Sequence, residues 1–208
     1  MGMKQGLRLL APICLGAFLS GCAMFVEQPS YEVVRKYGDF ELRDYGSTIV
    51  AETRVDASLE EAGGVAFDRL FGYISGDNRV EASISMTSPV TQTAASEKIE
   101  MTAPVEQRQT DSGWAVAFVM PSSYTLDTLP EPTNPKVTLK TVPARRVAVI
   151  EYSGTWSEKR YKEHLDKLEK WIAQQRLTIE GQPVWARYNP PFTPWFLRHN
   201  EIMIPVQK

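Results

Sequence analysis

Cysteine is nearly absent from this chain: Cys14 and Cys22 are the only two among 208 residues, and both lie near the N-terminus. Histidine is as scarce, with only His164 and His199. The apolar run near the N-terminus is shorter than the roughly 20 residues that a membrane-spanning helix needs. There is no Gly-x-Ser-x-Gly elbow, no phosphate loop, no dinucleotide fingerprint and no His-Glu-x-x-His pair. Acids such as Glu52, Glu100 and Glu106 are scattered and meet only if the tertiary fold brings them together, so the chain reads as a non-enzyme. A basic surplus is also missing. The 23 Lys and Arg stand against 25 Asp and Glu, a formal charge of −2, which makes a poor electrostatic match for nucleic acid.

The N-terminus carries an address. Lys4 and Arg8 precede the apolar stretch Leu9 to Leu19, and Ser20-Gly21-Cys22 follows, the order of a charged region, a hydrophobic region and a small-residue cleavage site. Leu19-Ser20-Gly21-Cys22 resembles a bacterial lipobox. Residues 1–21 are therefore expected to be a lipoprotein signal peptide, with Cys22 lipidated by acyl chains such as palmitate and residues 22–30 forming a tether. The alternative is an ordinary signal peptide with an incidental cysteine. Ala23, in place of an Asp, resembles lipoproteins sorted to the outer membrane, so the expected location is that membrane, facing the periplasm. Each buried methylene contributes about 0.8 kcal/mol, and more than one chain gives stable anchoring without a span. Loss of Cys14 and lipidation of Cys22 leave no thiol, which excludes disulfides, thiolate nucleophiles and Cys-zinc sites from the mature domain.

The remainder, residues 31–208, is long enough for one core and is expected to be a single monomeric domain. Tyr31–Arg35 and Phe40–Arg43 are strand-like around a Gly38-Asp39 break, and Thr48–Val55 follows as a strand. Ser58-Leu59-Glu60-Glu61 is a capping box opening a helix to about Ile74. Val137–Val142 and Arg146–Tyr152 repeat the hairpin, and Thr155-Trp156-Ser157-Glu158 repeats the box, opening a helix to about Gln175. Both caps, and the pairs Leu42/Leu139, Val50/Val147 and Ala51/Ala148, share an offset of 97. Two related halves follow, about 31–110 and 114–208, of class α+β. Trp114–Met120 reads as a buried strand, Pro121–Pro135 as a loop, Val184–Phe196 as an aromatic and proline-rich segment that either covers one end of the sheet or forms a mouth to the pocket, and Glu201–Val206 as a closing strand placed at an edge by Pro205.

The most informative stretch is a doubled pattern, Ile-x-Met-Thr-small-Pro-Val, at Ile84–Val90 and again at Ile99–Val105. Alternation puts Ile84, Met86, Ser88 and Val90 on one face, and likewise Ile99, Met101, Ala103 and Val105, as in a hairpin of half-buried strands. Met86 and Met101 then either fill the core or line a pocket for a large flat apolar ligand. This doubled motif, with Ala186-Arg187-Tyr188-Asn189-Pro190-Pro191 and Arg198-His199-Asn200-Glu201, resembles the SOUL haem-binding protein family from Tyr31 to Val206. The resemblance implies a pseudo-symmetric two-repeat fold, a curved antiparallel sheet or distorted barrel packed by two main helices. It also implies binding of haem or a related tetrapyrrole near the first helix.

That helix presents Phe67, Leu70 and Tyr73 with Arg69 alongside, and Gly63-Gly64 permits close approach of a ligand or of packed backbone. The expected binding set is Phe67, Arg69, Leu70, Tyr73, Met86 and Met101. One branch of the family ligates haem through a first-strand His; the matching position here is Lys36, a poor ligand. Ligation by Met86, Met101 or Tyr73 and binding without any protein ligand both stay open. His164 reads as a flank of the second helix's apolar stripe, and His199 as a surface or loop residue. The rival readings are a module for another apolar ligand, such as a lipid or envelope metabolite, and an envelope protein-interaction module.

Overall fold

A computed structural model describes residues 26–80 and 96–208. Cys22, Met86 and the first copy of the doubled motif lie outside the described residues. In chain order the elements are β1 (Tyr31–Tyr37), β2 (Phe40–Tyr45), β3 (Thr48–Val55), α1 (Leu59–Ser75), β4 (Asn78–Arg79), β5 (Val105–Thr110) and β6 (Gly113–Val119). Then come β7 (Glu131–Pro132), β8 (Val137–Val142), β9 (Arg145–Tyr152), α2 (Glu158–Gln174), β10 (Val184–Arg187) and β11 (Asn200–Val206).

Nine strands form one antiparallel sheet in the order β1-β2-β9-β11-β10-β5-β6-β3-β8. The sheet is open, with β1 and β8 at its edges, so the barrel alternative is not realised. Apart from β1, the order is symmetric about the β10–β5 junction: β2-β9-β11-β10 on one side answers β8-β3-β6-β5 on the other. The repeat seen at an offset of 97 is thus spatial as well. β3 and β9 even bury the same positions along their eight residues, and α1 packs on β3 and β6 as α2 packs on β9 and β11.

Alternation sorts the strands onto two faces. Leu42, Ala51, Ala148, Ile150, Ile202 and Ile204 join the helices in the main core. Tyr45, Val147, Val149, Ala186 and Met203 form a smaller cluster on the other face. Leu70, Leu168, Trp185 and Ile202 are all sealed from solvent.

α1 starts as its sequence requires. Ser58 accepts from the Glu61 amide, Glu61 reaches back to the Ser58 amide, and Gly76 ends the helix at a φ of 123°. α2 differs. Its N-cap is Ser157, accepting from the Arg160 amide, and position N3 holds Arg160 instead of an acid, so the expected box at Thr155 does not form. On its outer face Glu158 pairs with Lys162 at 2.7 Å, while Glu163 leans toward Lys159 and not toward Lys167.

Three further expectations are corrected. Ile99–Pro104 is not a strand, because its polar groups bind elsewhere: the Ile99 amide donates to the Ile74 carbonyl, the Ala103 amide to the Glu27 carbonyl, and the Thr102 hydroxyl to the Val119 carbonyl. β5 begins only after Pro104. Val184–Arg187, read as part of a cover, is a central strand between β11 and β5. Four residues bounded by prolines gave alternation too little length to show. β11 is also central, not an edge. Pro205 is tolerated there because β10 pairs only up to Met203, beyond which a single bridge at Ile179–Val206 replaces the ladder.

Candidate functional site

Among the described residues, those expected to line a groove on the first helix do not meet in one. Leu70 and Tyr73 are sealed in the core, and the Tyr73 hydroxyl donates to the Pro130 carbonyl at 2.9 Å. Phe67 packs its ring against Phe118 and Phe71. Met101 is 40% exposed and belongs to neither cluster. Gly63 allows a close approach, but from within the protein: a Cβ there would lie 2.6 Å from the Arg187 guanidinium. Only Arg69 borders a cleft, one of about 780 Å³ between α1 and the β3–β8 edge. Arg69 donates there to the Arg54 carbonyl and the Thr53 hydroxyl, and Val55, Ala57 and Val65 supply the apolar surface. Among the described residues, no His, Met, Tyr or Cys lines it.

A second cleft, about 850 Å³, lies in the other half, within the range of cofactor sites. The β1–β2 turn forms one wall. Gly38, at a φ of 58°, lets the chain double back and set Lys36 and Phe40 at the rim. Phe40 is fixed by stacking on Trp171, centroids 5.3 Å apart. The end of β9 supplies Ile150 and Tyr152 as floor, and α2 supplies Arg160, His164 and Lys167. The connection from β10 to β11 supplies Phe196, Leu197, Arg198 and His199. Phe196 and Leu197 are more than half exposed, as are Phe192 and Trp195 beside them, an apolar lip facing water.

Positive groups are held at this cleft by the backbone. Arg160 donates to the Ser153 carbonyl at 2.6 Å, and its Nε is buried without a partner. Gly154 makes the room: its φ is 136°, and a Cβ would lie 2.7 Å from the same guanidinium. Arg198 stacks 4.2 Å over Trp156 and donates to the Thr193 and Pro191 carbonyls, fastening the lip. A cleft that sets the apolar side chains Phe40, Ile150, Phe196 and Leu197 beside the cations Arg160, Lys167 and Arg198 can take an apolar molecule bearing carboxylates.

The two histidines behave oppositely. His164 is 8% exposed and stacks on Tyr152 at 4.0 Å with planes 14° apart. Its Nδ1 lies 2.8 Å from the Arg160 carbonyl, which can only accept, so Nδ1 carries the proton in the neutral ring. Burial, with Lys167 and Arg160 nearby and against that hydrogen bond, lowers its pKa and keeps it neutral. His199 contacts Glu151 through Nδ1 and Glu201 through Nε2, each at 3.0 Å. Burial opposes its charge, but the two carboxylates prevail and raise its pKa.

Glu201 is the centre of that second network. It is 1% exposed, pairs with the Arg43 guanidinium at 2.9 Å and accepts from the Tyr188 hydroxyl at 2.6 Å. Burial would raise its pKa, yet His199, Arg43 and Tyr188 hold it below the usual carboxylate range. Glu151, His199 and Glu201 have the donor atoms of a metal centre. Both imidazole nitrogens are already spoken for, however, and Arg43 neutralises Glu201, so the arrangement is an ion network closing one wall of the cleft.

Of this cleft, sequence reasoning named His164, His199 and Lys36 without bringing them together. Arg160, Lys167 and Leu197 were missed as site residues, whereas Phe196 ends the run read as a cover or a mouth to the pocket.

Comparison with known proteins gives a family and a fold. The family model described as SOUL heme-binding protein matches residues 26–205. Heme-binding protein 1 of Xenopus tropicalis is 26% identical over 169 residues, covering 77% of this chain and 84% of the relative. Heme-binding protein 2 of Homo sapiens is 26% identical over 199 residues, covering 93% and 92%. Among solved structures, the C-terminal domain of EcmrR superposes with a TM-score of 0.55 at 12% identity, over 86% of this chain and 98% of that one. A hydrolase from Listeria innocua does so with a TM-score of 0.52 at 10% identity, over 84% and 94%. At such identities the structural likeness speaks for the fold alone.

Proposed function

This chain belongs to the SOUL haem-binding protein family, and from that membership we propose that it binds haem or a related tetrapyrrole, reversibly and without catalysis, in the cleft between α2 and the end of β9. The carrying observation is the meeting, in one cavity of about 850 Å³, of the apolar side chains Phe40, Ile150, Phe196 and Leu197 with the cations Arg160, Lys167 and Arg198. An apolar macrocycle with propionates needs both. Cavity volume and charge do not separate the two clefts, since both have cations and both carry acids, Glu52 and Asp56 beside α1 and Asp39, Glu41 and Glu151 here; the exposed Phe196-Leu197 lip favours this one. The domain would work at the periplasmic face of the outer membrane, held there by lipid on Cys22.

Titration of the detergent-solubilised full-length protein with haemin tests the binding. Saturable one-to-one association, weakened about tenfold or more by Leu197→Glu and left within twofold by Val65→Glu, is the expected result. The reverse pattern would move the site to the cleft beside α1. A co-purified lipid with no saturable tetrapyrrole binding would favour the module for another apolar ligand, for which the exposed Phe192–Leu197 lip is the supporting feature. Palmitate labelling of cells tests the anchor: Cys22→Ser should abolish incorporation, and unchanged labelling would remove the membrane from the proposal.

A further inference from the structure

We infer that His164 is the axial ligand through which this cleft grips a tetrapyrrole iron, its Nε2 donating the lone pair. The inference rests on the cleft reading above and adds a residue to it.

Four observations converge. The ring is more than nine-tenths buried yet lines the cleft, and Nε2 has no hydrogen-bond partner among the described residues. Nδ1 is committed to the Arg160 carbonyl one helical turn back, which fixes the tautomer and leaves Nε2 as the basic nitrogen, the arrangement metal-binding histidines commonly use. Stacking on Tyr152 sets the plane of the ring, so little rotational freedom is lost on ligation. Packing does not demand an imidazole here either. The buried faces of the helices align at an offset of 98, with Leu70 answering Leu168 and Ile74 answering Ile172, and the counterpart of His164 is Ala66.

Among the described residues the other ligand types drop out on the same evidence. Haem iron takes His, Met, Cys or Tyr. His199 has both nitrogens engaged by carboxylates. Burial keeps the Tyr152 hydroxyl a phenol, pushing its pKa far above the ordinary value. Tyr73 is sealed in the core and Met101 stands outside the cleft. Ligation moves no proton and no electron, because the neutral ring offers Nε2 as it stands.

The test uses full-length protein in detergent, haemin and metal-free protoporphyrin IX, with absorption and electron paramagnetic resonance spectra beside the titrations. Three proteins are compared: the wild type, His164→Ala, and His164→Phe, which keeps an aromatic ring on Tyr152 and so guards against a folding artefact. Both variants should change the Soret band and the iron spin state and weaken haemin by at least about tenfold. Protoporphyrin IX affinity should stay within twofold for His164→Phe, since no iron is there to lose. Added imidazole should restore the wild-type spectrum in His164→Ala. If haemin still binds saturably with the wild-type spectrum in His164→Phe, the ligand is another group and the inference falls while the cleft reading stands. If the wild type binds neither porphyrin, the cleft reading itself falls.

Discussion

Replacing Arg43 with Met should be among the most destabilising single changes on the outer face of the sheet. Arg43 is 2% exposed. Its guanidinium donates to Glu41 at 2.6 Å and to the Tyr45 hydroxyl at 3.2 Å, forms an ion pair with Glu201 at 2.9 Å, and lies 4.2 Å from the Tyr31 ring centroid. Met fills much of the same space but leaves the Glu201 carboxylate, 1% exposed, with only Tyr188 and His199. Breaking a buried pair from one side costs about 3–5 kcal/mol, mostly the penalty of the charge left behind. For a domain of this size that lowers the thermal midpoint by roughly 6–20 °C. Glu201→Gln is milder, because Arg43 keeps Glu41 and the amide oxygen still accepts; about 1.5–3 kcal/mol is expected. The double variant removes the orphaned charge, so its cost should fall short of the sum by about 1–3 kcal/mol. Urea unfolding of all four proteins, followed by tryptophan fluorescence, completes the cycle. A loss below about 1 kcal/mol for Arg43→Met, with an unchanged denaturant slope, would refute the reasoning, since it would mean Glu201 is not a buried charge that Arg43 sustains.

Leu70→Ala should cost about 2–5 kcal/mol, since Leu70 is sealed in the core; haemin affinity, measured below the unfolding midpoint, should not change. The adjacent glycines of α1 should respond with opposite signs to Ala: Gly64 faces open space and should gain about 0.5–1 kcal/mol in urea unfolding, whereas Gly63 meets Arg187 at 2.6 Å and should lose stability despite the better helix former. His199 has a folded pKa above its ordinary 6.5, so its stabilisation is complete below the unfolded value and disappears as pH rises through the folded one. The gap in thermal midpoint between wild type and His199→Gln should therefore shrink from pH 5.5 toward pH 9, and a gap that widened would contradict the network. His164 is lowered, so its contribution runs the other way, present above the unfolded value and lost as pH falls.

Much of the fold was legible because its signals are local. β2, β3, β8 and β9 show in the sequence as short β-branched and apolar runs between turn residues, although β3 and β9 bury both faces over their middle four residues, and the offset of 97 registers the repeated half directly. Ser58 and Gly76 mark the ends of α1 through contacts that lie within four residues. β10 was not legible, being four residues long and stabilised wholly by strands distant in sequence. The second copy of the doubled motif misled for the same reason: its alternation is that of a strand, but the partners of Ile99, Thr102 and Ala103 lie at Ile74, Val119 and Glu27.

The site divides along the same line. Sequence by itself determined the family, the two-helix α+β class, the shortage of ligating side chains and the amphipathic stripe that carries His164, all of which depend on residue type and near-neighbour spacing. Only the tertiary structure decided that Leu70 and Tyr73 face the core, that Arg187 fills the space above Gly63, and that Lys36, Phe40, Tyr152, His164 and Phe196 border one cavity. Those five residues come from five separate elements. Which way a helical stripe turns, and what a loop tip meets, is set by the packing of segments more than a hundred residues apart, and no local pattern encodes it.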